Sequence, residues 1–224
     1  MEKRCSFSLL FIGLMVTATA QNINTLPVWN DQLEKSVTTD WLVQTPSSKA
    51  SVYRSAHGKD IILSNGLVRR TFRITPNIAC IDFKNLTSGQ QLLRAVKPEA
   101  RIVINNKRYD IGGLHGQKEN AYLLPAWVDE FVAGKEDFNY TGFSVSPITP
   151  FLNWNSKTWA KNKKQAAGKL LSFTFVSPQP ELKGVIVHVN YELYDGIPLI
   201  VKWISVDNQS KGMFILNRVV NEVL

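Results

Sequence analysis

Two carboxylates placed across a sugar ring would be the machinery of glycosidic hydrolysis. This chain offers Asp129 beside Glu130, Glu136 beside Asp137, and Asp195. The two pairs are sequence neighbours, and Asp195 opens an Asp-Gly hairpin turn, so all of them read as ordinary surface acids. The histidines His57, His115 and His188 stand apart from each other and from any cysteine or carboxylate at metal-ligand spacing. No metal and no cofactor is expected. Residues 112–116 (GGLHG) are glycine-rich, but no Lys-Ser/Thr follows as in a phosphate loop; they read as a tight loop needing positive φ. Cys80 lies between apolar neighbours in NIACIDF and reads as a small buried residue rather than a nucleophile. His188 and Glu192 share a strand face, but four residues along a strand is roughly 13 Å, beyond contact. No catalytic residue is nominated.

Aromatic side chains are the stronger lead. Trp127, Tyr140, Phe143, Phe151, Trp154 and Trp159 crowd one region, and Asn153 and Asn155 flank Trp154. A sugar ring presents an apolar C–H face with a polar rim, which an indole beside amides can bind; the same side chains also fill cores. Trp154, Trp159 and Trp127 are the candidate substrate-binding residues, and the implied partner is an oligo- or polysaccharide.

The elements that would hold these residues are strands. Residues 51–54, 60–63, 67–74, 78–84, 100–104, 107–111 and 169–176 are short runs rich in β-branched and aromatic residues, divided by Gly, Pro and Asn turns. In residues 67–74 (LVRRTFRI), Val68, Arg70, Phe72 and Ile74 form an apolar-leaning face against a basic one, as on a half-solvated sheet. Residues 183–194 (KGVIVHVNYELY) alternate again; Asp195-Gly196 turns the chain and residues 197–207 run back. A third apolar run, 213–224, follows. No long helical stripe is present. The expected fold is all-β: a large antiparallel β-sandwich over residues 51–224, with a lead-in at 21–50 and an irregular insertion at 117–168.

The ends and the charge bound the setting. Lys3 and Arg4, the apolar residues 6–16 and Ala18-Thr19-Ala20 follow the order of a cleaved secretory signal, residues 1–20, with cleavage after Ala20. The apolar run is shorter than the roughly 20 residues a spanning helix needs, so no stable membrane anchor is expected. Removal of the signal leaves Cys80 as the one thiol, and no internal disulfide can form. The localisation implied is exported, periplasmic or secreted. Net charge is +8, but the positive charge is scattered except in residues 156–169. No zinc-finger, phosphate-loop or RNA-recognition motif accompanies it, and nucleic acid is not an expected partner. A chain ending on an apolar strand suggests truncation before a further domain.

Residues 191–198 (YELYDGIP), with Lys202-Trp203 and Val206-Asp207-Asn208, resemble the last hairpin of the N-terminal sandwich of melibiase-type α-galactosidases. Residues 63–72 (LSNGLVRRTF) resemble the start of that domain. The resemblance spans roughly residues 51–224. It implies a sandwich preceding a catalytic (β/α)8 barrel whose aspartates have no counterpart here. On this reading the chain is the non-catalytic N-terminal portion of an exported glycoside hydrolase, and its partner is the missing C-terminal catalytic domain. The alternative is a stand-alone carbohydrate-binding or adhesion sandwich. A mutarotase-like enzyme using His188 and a carboxylate is a third reading, disfavoured by the strand spacing above.

Overall fold

The computed structural model describes residues 21–34, 40–44, 46–149 and 166–223. Eleven strands occur among them: β1 Ser51–Arg54, β2 Asp60–Ser64, β3 Val68–Arg73, β4 Ala79–Asn85, β5 Ala100–Ile104, β6 Lys107–Ile111, β7 Asn139–Pro147, β8 Gly168–Val176, β9 Val185–Tyr194, β10 Ile200–Asn208 and β11 Leu216–Val220. They form three antiparallel sheets in the orders β1-β2-β3-β4, β10-β9-β8-β7 and β11-β5-β6. The only helices among the described residues are short 3-10 turns, including Ile23–Thr25 and Asp31–Glu34 in the lead-in and Pro125–Glu130. None of the described helices is long and apolar enough to cross a membrane. The fold class is therefore the all-β sandwich expected from the strand pattern.

Alternation in sequence becomes alternation in burial. On β9, Val185, Val187, Val189, Tyr191 and Leu193 all enter the core, because successive side chains of a strand point to opposite faces. They meet the inward face of β3 across the sandwich. Phe72 lies edge-on to Phe173, with ring centroids 4.9 Å apart, and 5.0 Å from Tyr191. Such ring pairs add about 0.5–1.5 kcal/mol each beyond their buried area. Ile102, Ile104 and Ile111 of the third sheet complete the same core.

The turns follow local chemistry. Asn105 and Asn106 both adopt positive φ, 48° and 66°, the backbone of the two-residue turn that closes β5 onto β6. Asn65, 1 % exposed, organises the β2–β3 turn: its Oδ1 accepts from the backbone N–H groups of Leu67 and Val68 at 3.0 and 3.1 Å. Its Nδ2 donates to the carbonyls of Tyr194 and Ile197, each at 2.7 Å.

Two expectations change. The β9–β10 connection is not a two-residue turn at Asp195-Gly196, because β10 starts only at Ile200. The Asn65 amide and the Asp195 carboxylate, which accepts from the Ala50 N–H at 2.8 Å, hold the longer loop instead. The segment 117–168 is not irregular throughout, since β7 pairs with β8 along its length. A bulge between Tyr140 and Gly142 places Tyr140 and Phe143, three residues apart, opposite Phe175 and Phe173. Both therefore face the core, and the period-2 signal in the sequence is erased.

Candidate functional site: a cationic groove beside a His–Asp pair

The outer face of β4 carries a second, smaller apolar cluster. Ala79, Val96, Leu114, Val128 and Phe131 are buried there, with Ile81, Leu123 and Trp127 packed against them. This cluster is the floor on which the connections after β4 and β6 rest. Gly112 sends the chain out of β6 with φ +63°, and a Cβ there would lie 2.7 Å from the Ile78 carbonyl. Only glycine allows both the turn and that approach.

Above this floor, residues 94–97 and 114–122 enclose a groove of about 680 Å³. Gln117 ties its two walls together. Its Oε1 accepts from the Val96 N–H at 2.8 Å, and its Nε2 donates to the carbonyls of Ala121 and Arg94 at 2.8 and 3.3 Å. Arg94, Lys97 and Lys118 line the groove against one acid, Glu119. Two of these cations are held by aromatic rings. The Arg94 guanidinium lies 5.2 Å from the centre of the Tyr122 ring and donates to its hydroxyl at 2.8 Å. The Lys118 ammonium lies 5.1 Å over Trp127.

His115 stands at the same groove. Its Nε2 is 2.7 Å from Oδ2 of Asp137, whose side chain is 12 % exposed against 56 % for the imidazole. Residues 22 apart meet because His115 bridges Val132 and Ile111 bridges Phe138, folding the two loops onto each other. Gly134 makes room, since a Cβ there would collide with the Asp137 carboxylate and approach His115 Nε2 to 2.7 Å. Asp137 thus departs from the reading of Glu136-Asp137 as plain surface acids. A carboxylate behind an imidazole fixes its tautomer and orientation, which suits a hydrogen-bonding or proton-accepting role.

A second concentration of charge is buried where the three sheets meet. Arg70, on the core face of β3, is 4 % exposed. It donates to Glu222 through both terminal nitrogens, at 3.3 and 2.8 Å, and through Nε to the Cys80 sulfur at 3.3 Å. Lys202 of β10 reaches the same carboxylate at 2.9 Å and donates to the Glu99 carbonyl. The Glu99 carboxylate accepts from the Cys80 N–H at 2.6 Å and from the Tyr191 hydroxyl.

Burial works against the Arg70 charge, yet Cys80, Tyr191, Glu99 and Glu222 together hold its proton more firmly than water does. Burial also pushes the Glu222 carboxyl upward, but Arg70 and Lys202 outweigh it and hold that carboxyl below its ordinary value. Burial pushes the Cys80 thiol up to about 11, as fits a packing residue and not a nucleophile. The Tyr191 phenol is driven well above its usual value by the same burial. Every polar member faces another member, so this cluster works as a structural clamp.

The remaining candidates fall as follows. Trp127 is half-buried in the floor of the groove region, under Lys118. Trp154, Trp159 and Ala20 lie outside the described residues. His57 belongs to a network: its Nε2 is 3.3 Å from Asp60, which binds Arg73 at 2.6 Å, and Arg73 binds Asp129 at 2.6 Å. His188 pairs with Thr174 at 3.1 Å and Asp207 at 3.5 Å, whereas Glu192 accepts from the Tyr194 hydroxyl at 2.6 Å. His188 and Glu192 are not brought together. No group of three or more His, Cys, Asp or Glu gathers to hold a metal among the described residues. The sequence reading missed the His115–Asp137 pair; the signal available was glycine at 112, 113 and 116 around His115 and at 134 ahead of Asp137.

No protein-family model, curated protein or solved structure matches this chain.

Proposed function

We propose that this chain is the non-catalytic N-terminal sandwich portion of an exported glycoside hydrolase of α-galactosidase-like type, active in carbohydrate degradation beside a catalytic domain. The observation that carries the reading is a set of exposed apolar side chains on β10, β11 and the segments entering them. Met213 is 100 % exposed and Ile215 66 %, and Leu199, Val201, Leu216 and Val219 are also exposed. Exposed apolar side chains on these two strands and the segments entering them are surface that a supported second domain would cover.

Two further features support it. The segments that resemble melibiase-type sandwiches, 63–72 and 191–208, are joined in space through the Asn65 amide. Arg70 and Lys202 both pair with Glu222, which ties the segment after β11 to β3 and β10. The leader pattern of residues 1–20 supports an exported product, periplasmic or secreted.

The test is to read the gene past the codon for Leu224. An open frame encoding alternating strands and helices, with aspartates at strand ends, is expected; an immediate stop codon would overturn the reading. The second reading, a stand-alone carbohydrate-binding or adhesion sandwich, is favoured by one observation, the groove with Tyr122 67 % exposed at its rim. It predicts glycan binding with a stop codon after Leu224.

A further inference from the structure

The groove between residues 94–97 and 114–122 gathers cations that aromatic rings hold and no described carboxylate neutralises. Arg69, Arg73 and Arg101 are paired with carboxylates: Arg69 with Glu34 and Asp82, Arg73 with Asp60 and Asp129, Arg101 with Asp110. Arg94 and Lys118 are instead fixed by the faces of Tyr122 and Trp127. Neither these two nor Lys97 forms an ion pair with any described residue. A cation held by a ring is ordered but not neutralised, so it keeps most of its attraction for an incoming anion.

Shape and neighbours narrow the ligand. A volume of about 680 Å³ admits a ligand larger than a lone inorganic anion. Arg94 covers part of the Tyr122 ring, and the residue is nonetheless 67 % exposed, leaving aromatic surface for the C–H face of a sugar. His115, fixed through Nε2 by Asp137, has its Nδ1 without a partner among the described residues and can pair with a hydroxyl.

Building on the glycoside-hydrolase reading, we propose that this groove binds an oligosaccharide carrying an oxyanion, either a uronate carboxylate or a sulfate ester. Arg94 and Lys118 take the oxyanion, Tyr122 takes the ring face, and His115 takes a hydroxyl.

The test is calorimetric titration of the full chain with trigalacturonate, a sulfated galactotriose, neutral galactotriose, sodium acetate and sodium sulfate. At least one acidic trisaccharide is expected to bind about tenfold or more tighter than galactotriose, a difference of roughly 1.4 kcal/mol. Which acidic trisaccharide binds distinguishes carboxylate from sulfate. Arg94→Gln and Lys118→Gln should each weaken that binding about tenfold, while Lys211→Gln leaves it unchanged. Raising NaCl from about 50 to about 500 mM should weaken the unaltered chain's binding, which reads the same point without a substitution.

Equal affinity for acidic and neutral sugars, indifference to both substitutions and to salt, or equally tight binding of free acetate or sulfate would each overturn the proposal. Neutral-sugar binding that survives both substitutions overturns it while leaving the glycoside-hydrolase reading intact. That reading falls separately, on a stop codon after Leu224.

Discussion

Replacing Glu222 by Gln tests the buried clamp. The carboxylate accepts from Arg70 at 2.8 and 3.3 Å and from Lys202 at 2.9 Å. Glutamine has nearly the same shape but no charge, so it leaves two cations whose side chains are 4 % and 6 % exposed facing each other. Removing one partner of a fully buried pair costs about 3–5 kcal/mol. Glu222 itself is 30 % exposed, which reduces the expected loss to about 2–4 kcal/mol. For a chain of this length each kcal/mol moves Tm by about 2–4 °C, so a fall of about 5–15 °C is expected in a circular-dichroism melt at pH 7.

The same carboxyl gives a pH signature. Its folded-state pKa lies below the unfolded one, so its contribution is complete above the unfolded value and fades as pH falls through the folded value. The gap between Glu222→Gln and the unaltered chain should therefore close below about pH 4.5. The double variant with Lys202→Met should lose less than the two single variants added together. A Tm change under about 2 °C at pH 7 would refute the clamp, since the partners would then be exchanging with water as surface pairs do.

Other expectations follow from single contacts. Asn65→Ala deletes two accepted and two donated hydrogen bonds at a site 1 % exposed; a loss of about 3 kcal/mol is expected by urea denaturation. Gly112→Ala forces a Cβ to 2.7 Å from the Ile78 carbonyl at φ +63° and should cost at least about 2 kcal/mol in the same assay. Cys80, with its thiol pushed up to about 11 by burial, should resist Ellman's reagent in a folded Cys5→Ser chain and react only once urea unfolds it. Rapid labelling of the folded form would mean that the β3–β4 core opens.

The strands were legible because their β-branched residues alternate, and β9 shows this best: its five inward positions are all buried. The cases that escaped share a physical cause, a tertiary neighbour that overrides local pattern. Arg70 sits on the apolar face of β3 in the sequence, but nothing local reveals that Glu222, 152 residues away, makes its burial tolerable. His115 and Asp137 look isolated until the bridges of residues 111 and 115 bring their loops together. The bulge at residues 140–142 shifts the facing of β7 by one residue, so Tyr140, Phe143 and Val145 never show a regular period. Asp195-Gly196 carries a strong hairpin signal, yet contacts from Asn65 and Ala50 set a longer loop there.

The central claim, that this sandwich supports chemistry carried elsewhere in the same gene product, is tested most directly by hydrolysis. Release of nitrophenol from an aryl α-galactoside should be measured for the whole gene product and for the 224-residue chain at matched concentration. The account predicts turnover by the whole product and none by the 224-residue chain. Turnover by the 224-residue chain alone would contradict it, and would move attention to His115 and Asp137 as a working acid–base pair.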